Sequence, residues 1–176
     1  MGDVEEVSME LWDAYSKGEE LVGSTLVRGE NIPQGLYHLV CEVLVRHTDG
    51  SYLCMKRSVK KPNYGGWYEA TAGGSALKGE DKWQCVAREL LEETGLECHE
   101  FEEIDCFLEE KKQAFFHVFL CVTDCDKASV QLQEGETEGY LWMSEEEFVE
   151  FVNSNRMIPS NRRRYDKYFR RMGYVE

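Results

Sequence analysis

The chain has 176 residues and a formal net charge of −14 at pH 7, and 42% of its residues are hydrophobic. This length favours one domain with a sizeable core. The acidic balance argues against a general nucleic-acid surface, because affinity for a phosphate backbone comes from Lys and Arg. No run approaches the roughly 18 consecutive apolar residues of a membrane helix, and the acidic N-terminus lacks the basic and apolar regions of a secretory signal. We therefore expect a cytoplasmic protein without membrane contact, for which a homodimer is a candidate assembly.

The first half of the chain is predicted to consist mainly of β-strands. Residues 8–16 and 20–28 flank Lys17-Gly18-Glu19 and predict a hairpin within the N-terminal segment, residues 1–30. A later pair of strands is joined by Asp49-Gly50, a dipeptide typical of hairpin turns. The strands after the N-terminal hairpin are predicted over residues 36–47, 52–58 and 67–72.

The second half of the chain is predicted to alternate helices and strands. Residues 81–94 predict a helix that ends at Gly95, a natural C-cap, and Ser144 begins a capping box. The other elements are strands over residues 101–109 and 114–124, a short strand ending at Trp142, and helices over residues 144–152 and 161–172 in the C-terminal segment, residues 144–176. A mixed sheet with helices on both faces is an α/β/α sandwich.

Two other patterns predict packing rather than function. Seven cysteines include no Cys-x-x-Cys pair, so they are predicted to be buried reduced thiols and not a zinc site. The basic cluster over residues 162–171 is interleaved with aromatic residues. It predicts an amphipathic helix with the aromatic side chains turned inward and the charges turned outward.

Three acids are spaced to share one face of the helix at residues 81–94. Glu89, Glu92 and Glu93 stand at positions i, i+3 and i+4, so their carboxylates project side by side and repel each other. A cation is needed to neutralise them, and ligands that are all oxygen favour Mg2+ or Mn2+ over zinc. The opposite face is predicted to pack on the sheet through Val86, Ala87, Leu90 and Leu91.

Residues 74–96 resemble the Nudix box, G-x5-E-x7-R-E-U-x-E-E-x-G-U, in which U is aliphatic. Every fixed position is filled, by Gly74, Glu80, Arg88, Glu89, Leu90, Glu92, Glu93, Gly95 and Leu96. The resemblance implies a single Nudix domain over residues 1–176 with the α/β/α fold of that family. It also implies a metal-dependent hydrolase that cleaves a diphosphate linkage in a nucleoside diphosphate linked to another group, X.

By position, the resemblance implies roles for the charged residues of the box. Glu89 and Glu93 are expected to be metal ligands, and Glu92 is expected to be a ligand or the base that deprotonates water. Arg88 is expected to hold a glutamate in position, so Glu89, Glu92 and Arg88 form the predicted catalytic set. Glu80 is expected to support the junction between the loop and the helix.

Outside the helix, the resemblance implies two further kinds of metal ligand. Gly73 or Gly74 is expected to offer a backbone carbonyl, at a place where a Cβ would crowd the ion. A loop acid shortly before Trp142 is expected to complete the oxygen shell, and the spacing favours Glu136. The two other acids in that loop are Glu134 and Glu138.

A diphosphate substrate needs cationic side chains in addition to the metal. Arg57 is the first candidate, because a forked guanidinium suits phosphate oxygens. Trp67 and His38 are candidate pocket residues. The remaining candidates lie at predicted strand or loop ends and are Arg28, Lys56 and Lys60.

Residues 10–150 also resemble the Nudix proteins related to isopentenyl-diphosphate isomerase. The shared motifs are Leu11-Trp-Asp-Ala-Tyr, Val27-Arg-Gly-Glu, Tyr37-His-Leu-Val, Met55-Lys-Arg-Ser and Trp67-Tyr-Glu-Ala-Thr-Ala-Gly-Gly. Where the isomerase has a catalytic Cys and a nearby His, this chain has Ala72 and Gly74, so isomerase activity is not expected. The alternatives to hydrolysis are an isomerase-like enzyme and a non-catalytic nucleotide-binding module. The sequence does not identify X.

Overall fold

The computed structural model describes residues 9–176, so residues 1–8 of the predicted N-terminal segment lie outside the described part. The strands are β1 (Leu11–Tyr15), β2 (Leu21–Val27), β3 (His38–His47), β4 (Tyr52–Arg57), β5 (Tyr68–Glu69), β6 (Thr71–Ser75), β7 (Phe101–Glu109), β8 (Ala114–Thr123) and β9 (Thr137–Met143). The helices are α1 (Lys82–Thr94), α2 (Glu145–Val152), α3 (Pro159–Arg164) and α4 (Asp166–Arg171), with short 3-10 turns at Glu110–Lys112 and Lys127–Ser129. Within residues 9–176, no helix is long and apolar enough to cross a membrane.

The main sheet is mixed and contains seven of these strands. Its order is β5-β4-β3-β8-β7, while β6 also pairs with β3 and β9 also pairs with β4. The β3–β8 pair is parallel, and the pairs of β3 with β6, β4 with β9 and β7 with β8 are antiparallel. The central position of β3 brings β6, and the loop that follows it, next to the middle of the sheet.

Each face of the sheet covers its own hydrophobic core. Successive side chains of a strand point to opposite faces, so Val43 and Val45 of β3 join the core beneath α1, whereas Leu44 joins the core beneath α2 and the C-terminal helices. Val86 and Leu90 of α1 are fully buried in the first core. This arrangement confirms the predicted α/β/α sandwich with a mixed sheet.

Local sequence signals set both ends of α1. The Asp81 carboxylate accepts a hydrogen bond from the Gln84 backbone N–H at 2.8 Å, and the Gln84 side chain accepts one from the Asp81 N–H at 3.0 Å. Gly95 ends the helix with φ of 71°, a left-handed conformation that glycine adopts without steric cost. The predicted apolar face is wrong at Leu91, which is 47% exposed because it lies on the side of α1 turned away from the sheet.

The C-terminal segment contains two short helices where the sequence predicts one helix over residues 161–172. The break falls at Tyr165, with φ of −101° and ψ of 11°, where the buried side chain donates a hydrogen bond to the Phe119 carbonyl at 3.1 Å. The prediction that the basic side chains point outward is wrong for Arg164. Its guanidinium is buried 3.9 Å from the centre of the Phe116 ring and pairs with Glu42.

The predicted N-terminal hairpin is present as a separate two-stranded sheet of β1 and β2. Backbone hydrogen bonds of 2.8 and 3.0 Å join Tyr15 to Tyr37. The Trp12 ring stacks on His38 at 4.1 Å, and Trp12 also packs with Leu26 in a small core within the hairpin. These contacts hold the hairpin against the beginning of β3.

The cysteine prediction is correct for four residues and wrong for others. Cys41, Cys54, Cys85 and Cys121 are buried free thiols. Cys106 is exposed on β7, at the edge of the sheet, and the two half-buried thiols are Cys98 and Cys125. An alternating strand at an edge exposes side chains that a central strand would bury.

Candidate active site

A cavity of about 510 Å³ opens between β6, α1, the β1–β2 hairpin and the loop that leads into β9. The predicted site residues that line it are Gly73, Gly74, Arg88, Glu89, Glu92, Glu93, Glu136, Arg57 and Arg28. Residues that the sequence did not single out also line it, including Glu10, Trp12, Glu42, Lys61, Glu69 and Gln133. Its volume falls within the roughly 300–1,000 Å³ typical of ligand sites.

Helix α1 directs Glu89 and Glu93 toward the cavity floor and leaves Glu92 nearer to solvent. The side chains of Glu89 and Glu92 are 12% and 47% exposed, and Glu93 accepts a hydrogen bond from the Gly73 N–H at 3.3 Å. Burial raises the pKa of Glu93 well above its usual value, and the negative charges of Glu69 and Glu89 act in the same direction. The cavity floor therefore concentrates negative charge that a cation would relieve.

Arg88 organises the upper part of the acidic helix face. Its guanidinium donates to the two Glu80 oxygens at 2.6 and 3.0 Å, to Glu89 at 2.8 Å and to Glu92 at 3.2 Å. It also donates to the Ser75 carbonyl at 3.1 Å, and Glu80 accepts a hydrogen bond from the loop backbone at 2.9 Å. Burial raises the pKa of Glu89, against the opposing charge of Arg88. The Arg88–Glu80 pair thus connects β6, the loop and α1.

The two adjacent glycines of β6 are required by different close contacts. A Cβ at Gly73 would lie 2.2 Å from the Cys41 carbonyl oxygen on β3, so a side chain would push the paired strands apart. A Cβ at Gly74 would lie 2.5 Å from the Glu89 carboxylate, so a side chain would displace a cavity acid. Glycine is therefore needed at 73 for the sheet and at 74 for the site, whether or not an ion is bound.

Comparison with known proteins agrees with this geometry. The family model described as NUDIX domain matches residues 36–168. An uncharacterised Nudix hydrolase of Listeria monocytogenes is 30% identical over 151 residues, which cover 86% of this chain and 89% of that protein. The chain belongs to the Nudix family. As a Nudix hydrolase, it is a pyrophosphohydrolase, an enzyme that acts on acid anhydrides.

Solved structures share the Nudix fold with this chain at low sequence identity. A crystal structure of a Deinococcus radiodurans protein has a TM-score of 0.70 and 16% identity, and covers 90% of this chain and 98% of that chain. The Nudix domain of NrtR from Shewanella oneidensis, solved in complex with ADP ribose, has a TM-score of 0.60 and 13% identity. The match covers 77% of this chain and 88% of that domain, and at this identity it shows the fold alone.

One of the three acids predicted shortly before Trp142 lies at the cavity, whereas Glu138 belongs to strand β9. Glu136 lines the cavity, where Lys61 donates to its carboxylate. Glu138 instead pairs with Lys56 at 3.2 Å, and Glu134 is exposed and does not line the cavity. Of these three acids, Glu136 is the one that lines the cavity, and its role as a metal ligand stays a prediction.

The two predicted phosphate-binding arginines on the cavity wall are paired with acids. Arg57 Nη1 donates to Glu69 at 2.5 Å, and Arg28 Nη1 donates to Glu10 at 2.7 Å. Trp12 Nε1 also donates to Glu10 at 2.8 Å. An anionic ligand would have to compete with these carboxylates for the arginines.

The other predicted substrate residues do not line the cavity of about 510 Å³. Lys56 on β4 forms an ion pair with Glu138 on the neighbouring strand β9. Trp67 is 39% exposed and lines a second cavity of about 410 Å³ beside α2, on the opposite face of the sheet. Lys60 does not line the cavity, and His38 is buried beneath Trp12, where burial lowers its pKa to about 4.

Glu42 is a cavity residue that the sequence analysis missed. It lies on β3, and one carboxylate oxygen accepts a hydrogen bond from Arg164, while Oε2 has no partner among residues 9–176. Burial raises the pKa of Glu42 to about 7, against the opposing charge of Arg164. The sequence feature that could have identified Glu42 is its position as a charged residue in the middle of the apolar run at residues 39–45.

Proposed function

We propose that this Nudix protein is a Mg2+- or Mn2+-dependent hydrolase that cleaves the diphosphate linkage of a nucleoside diphosphate linked to X. The observation that carries the proposal is the buried carboxylate of Glu93, which faces Glu89 and Glu69 across the cavity floor. Acids arranged in this way are costly to ionise without a cation. Nudix enzymes generally use a divalent metal ion, and the oxygen ligands of this cluster are of the kind that Mg2+ and Mn2+ prefer.

The donor atoms at the cavity floor fit a hard divalent cation. The proposed ligands are carboxylate oxygens of Glu89, Glu93 and Glu136, with Glu92 as a further ligand when it does not act as the base. A backbone carbonyl of Gly73 or Gly74, which line the same cavity, completes the set. Oxygen ligands of this kind are those that Mg2+ and Mn2+ prefer. When bound, the ion would neutralise phosphate charge and lower the pKa of a coordinated water.

The box side chains supply positioning and proton transfer in this proposal. Arg88 holds Glu89 and Glu92 through hydrogen bonds of 2.8 and 3.2 Å. Glu92 is the most exposed of the three box acids. We therefore assign it to the base that accepts a proton from the attacking water, since water reaches it without entering the cavity floor.

The paired arginines are proposed to bind the diphosphate. Arg57 and Arg28 lie on the cavity wall with their guanidinium groups held by Glu69 and Glu10. Phosphate oxygens can replace these carboxylates as acceptors, because a guanidinium fork suits both groups. Lys61, now paired with Glu136, adds a third cation on the same wall. Release of Glu136 from Lys61 would free that acid for the metal.

A nucleoside diphosphate derivative is supported by the size of the cavity and by the fold. The cavity of about 510 Å³ includes Trp12 on its wall, which offers an aromatic surface. The Nudix domain of NrtR was solved with ADP ribose, which supports such a ligand for this architecture.

The proposal is tested by measuring phosphate release from ADP-ribose, nucleotide sugars and dinucleoside polyphosphates with Mg2+, Mn2+ or EDTA. A phosphatase added after the reaction liberates phosphate from the products. We expect metal-dependent turnover that is lost in Glu93→Gln and retained in Glu97→Gln, a matched change of an exposed acid outside the cavity. Parental turnover in both Glu93→Gln and Glu92→Gln would place the active site elsewhere. Ligand binding without turnover would favour the non-catalytic module.

Isopentenyl diphosphate in the same assay separates hydrolysis from isomerisation. Ala72 is buried on β6 and carries a methyl group where the isomerase that this region resembles has its thiol. We expect no dimethylallyl diphosphate to form with Mg2+. Product formation that is abolished by replacing one cysteine would overturn this expectation.

A further inference from the structure

A second group of side chains with metal-binding chemistry lies away from the acidic cavity. Glu19 is in the turn between β1 and β2, Cys106 is on β7 and His117 is on β8. One donor atom from each lies within 4.8 Å of the others. Cys106 and His117 are directly paired across the two strands, and none of these three residues lines the acidic cavity.

The two sulfur distances in this group suit a tetrahedral site, and Glu19 and His117 would exchange their direct hydrogen bond for bonds to the ion. The Cys106 sulfur lies 3.7 Å from His117 Nε2 and 3.9 Å from a Glu19 carboxylate oxygen, and Glu19 and His117 are hydrogen-bonded to each other. Zinc bonds of about 2.3 Å to sulfur and about 2.0–2.2 Å to nitrogen and oxygen place tetrahedral ligands about 3.6 Å apart. The sulfur therefore already lies near this separation from both partners.

The hydrogen bond at the other ring nitrogen of His117 also supports a metal-binding role for this residue. His117 Nδ1 lies 2.8 Å from a Glu103 carboxylate oxygen, and Lys82 donates to Glu103 at 2.5 Å. Metal-binding histidines usually donate their second ring nitrogen to such an acceptor, which fixes the ring and its tautomer. With Nδ1 donating to Glu103, Nε2 is the nitrogen directed toward Glu19 and Cys106.

We propose that Glu19, Cys106 and His117 form a zinc site, with water or an added ligand in the fourth position. A mixed set of sulfur, nitrogen and oxygen ligands is typical of zinc and differs from the oxygen ligands of the acidic cavity. Binding displaces the thiol proton of Cys106 to solvent, and the thiolate and the Glu19 carboxylate together balance the charge of Zn2+. Cys106 is exposed, which gives the ion a route from solvent.

The proposed site joins the hairpin to the main sheet. The β1–β2 pair is a separate sheet, and Glu19 lies at its turn, whereas Cys106 and His117 belong to the β7–β8 edge. An ion bound by all three residues fixes the turn end of the hairpin. The same hairpin carries Trp12, and Arg28 follows it directly, so zinc also stabilises one wall of the acidic cavity.

Cobalt substitution in excess Mg2+ tests the site without relying on activity. Metal-free protein is titrated with Co2+, the cobalt–thiolate charge-transfer absorption is recorded, and Zn2+ is then added to displace the cobalt. We expect a stoichiometric band in the parent, in Glu93→Gln and in the matched control Cys98→Ser. Cys106→Ser is expected to lose the band, and because this side chain is exposed the variant is expected to fold.

Thermal unfolding gives a second measurement on the same variants. Zn2+ is expected to raise the Tm of the parent and of Cys98→Ser, but not that of Cys106→Ser. Glu19→Gln is expected to weaken Co2+ affinity at least tenfold. The site is overturned if the parent shows no band, if the band survives Cys106→Ser, or if Glu19→Gln leaves the affinity unchanged. Loss of the band in Glu93→Gln would show that the thiolate site depends on the acidic cavity, and it would overturn the proposal of a separate site.

Discussion

Two buried polar clusters lie on opposite faces of the sheet, and their groups are satisfied in different ways. Beneath the C-terminal helices, the Tyr52 hydroxyl lies 2.7 Å from that of Tyr168 and 2.8 Å from that of Tyr174, which in turn donates to Glu145. On the α1 face, Glu93 accepts a 3.3 Å hydrogen bond from a backbone N–H and otherwise faces like charges.

The tyrosine cluster has its hydrogen bonds completed within the protein. The carboxylates on the α1 side of the sheet face like charges. A tyrosine hydroxyl both donates and accepts, so the tyrosine cluster satisfies itself. Ionised carboxylates accept only, and they repel one another, so the acidic cluster is costly to ionise unless a cation neutralises it. Changes in the first cluster should therefore affect stability, and changes in the second should affect turnover.

After the loss expected in Glu93→Gln, the next largest effect on turnover is expected from Arg88→Lys. Lysine keeps the charge but loses the fork that contacts Glu80, Glu89 and Glu92 together. We expect kcat to fall by roughly 10- to 100-fold, the scale found when a residue that orients metal ligands is lost. Steady-state kinetics over a range of Mg2+ concentrations measures this, with Tyr168→Phe as the control from the other cluster. A normal kcat in Arg88→Lys would remove Arg88 from the site.

Tyr52→Phe tests the tyrosine cluster on the other face of the sheet. It removes a buried hydroxyl that joins Tyr168 and Tyr174. We expect the free energy of unfolding to fall by about 1–3 kcal/mol, because two buried hydroxyls lose a partner, with kcat unchanged. Denaturant titration measures the first quantity. A loss of activity without a loss of stability would contradict the division between the two faces.

A smaller effect is expected from Glu136→Gln, which tests the loop contribution to the acidic cluster. Glu136 lines the cavity and is paired with Lys61, so its loss should raise the metal concentration for half-maximal rate by about tenfold, within the range for weakened metal sites. Glu134→Gln, at an exposed position in the same loop, is the matched control and should be silent. The reverse pattern would show that the other acid approaches the metal.

The smallest effect is expected in the pH dependence of the metal-free protein. Because burial raises the pKa of Glu93 above the ordinary value of 4.5, the folded state binds this proton more tightly than the unfolded state. That contribution to stability is present at low pH and is lost as the pH rises from the ordinary carboxyl range through the raised pKa. In EDTA, Glu93→Gln should therefore gain Tm relative to the parent as the pH rises from mildly acidic to neutral.

Mg2+ is the control for this pH measurement. A bound cation should stabilise the ionised parent more than Glu93→Gln, so the sign of the Tm difference should reverse at neutral pH. A Tm difference that does not change with pH in EDTA would mean that Glu93 is already compensated by the protein.

The parts of the site that the sequence predicted are those encoded locally. Asp81 and Gly95 cap α1 through contacts within a few residues, and helical spacing alone puts Glu89 and Glu93 on one face. Short-range patterns of apolar residues also located most of the strands, whereas the order of the strands in the sheet was not predicted. The family resemblance then supplied the loop acid, whereas Arg57 was selected because a guanidinium fork suits phosphate oxygens.

The parts that were missed depend on long-range pairing. Glu42 and Arg164 are 122 positions apart, and Lys61 and Glu136 are 75 apart, so no local pattern connects them. The helix predicted over residues 161–172 is broken at Tyr165, whose hydroxyl bonds to the backbone of a strand far away in sequence. Intrinsic helix propensity takes no account of a hydrogen bond to a strand that is distant in the sequence.

The contact between Gly74 and Glu89 has a consequence for how reactions diverge on this scaffold. The correspondence predicted from the sequence puts Gly74 where isopentenyl-diphosphate isomerase carries a histidine. A Cβ there would lie 2.5 Å from the Glu89 carboxylate, which Arg88 holds at 2.8 Å. A side chain acquired at 74 alone would expel that acid before any new chemistry was in place. The two positions are therefore epistatic: descendants that gain a residue at 74 are expected to have altered 89 as well, and aligned relatives that keep both a bulky 74 and Glu at 89 would contradict this coupling.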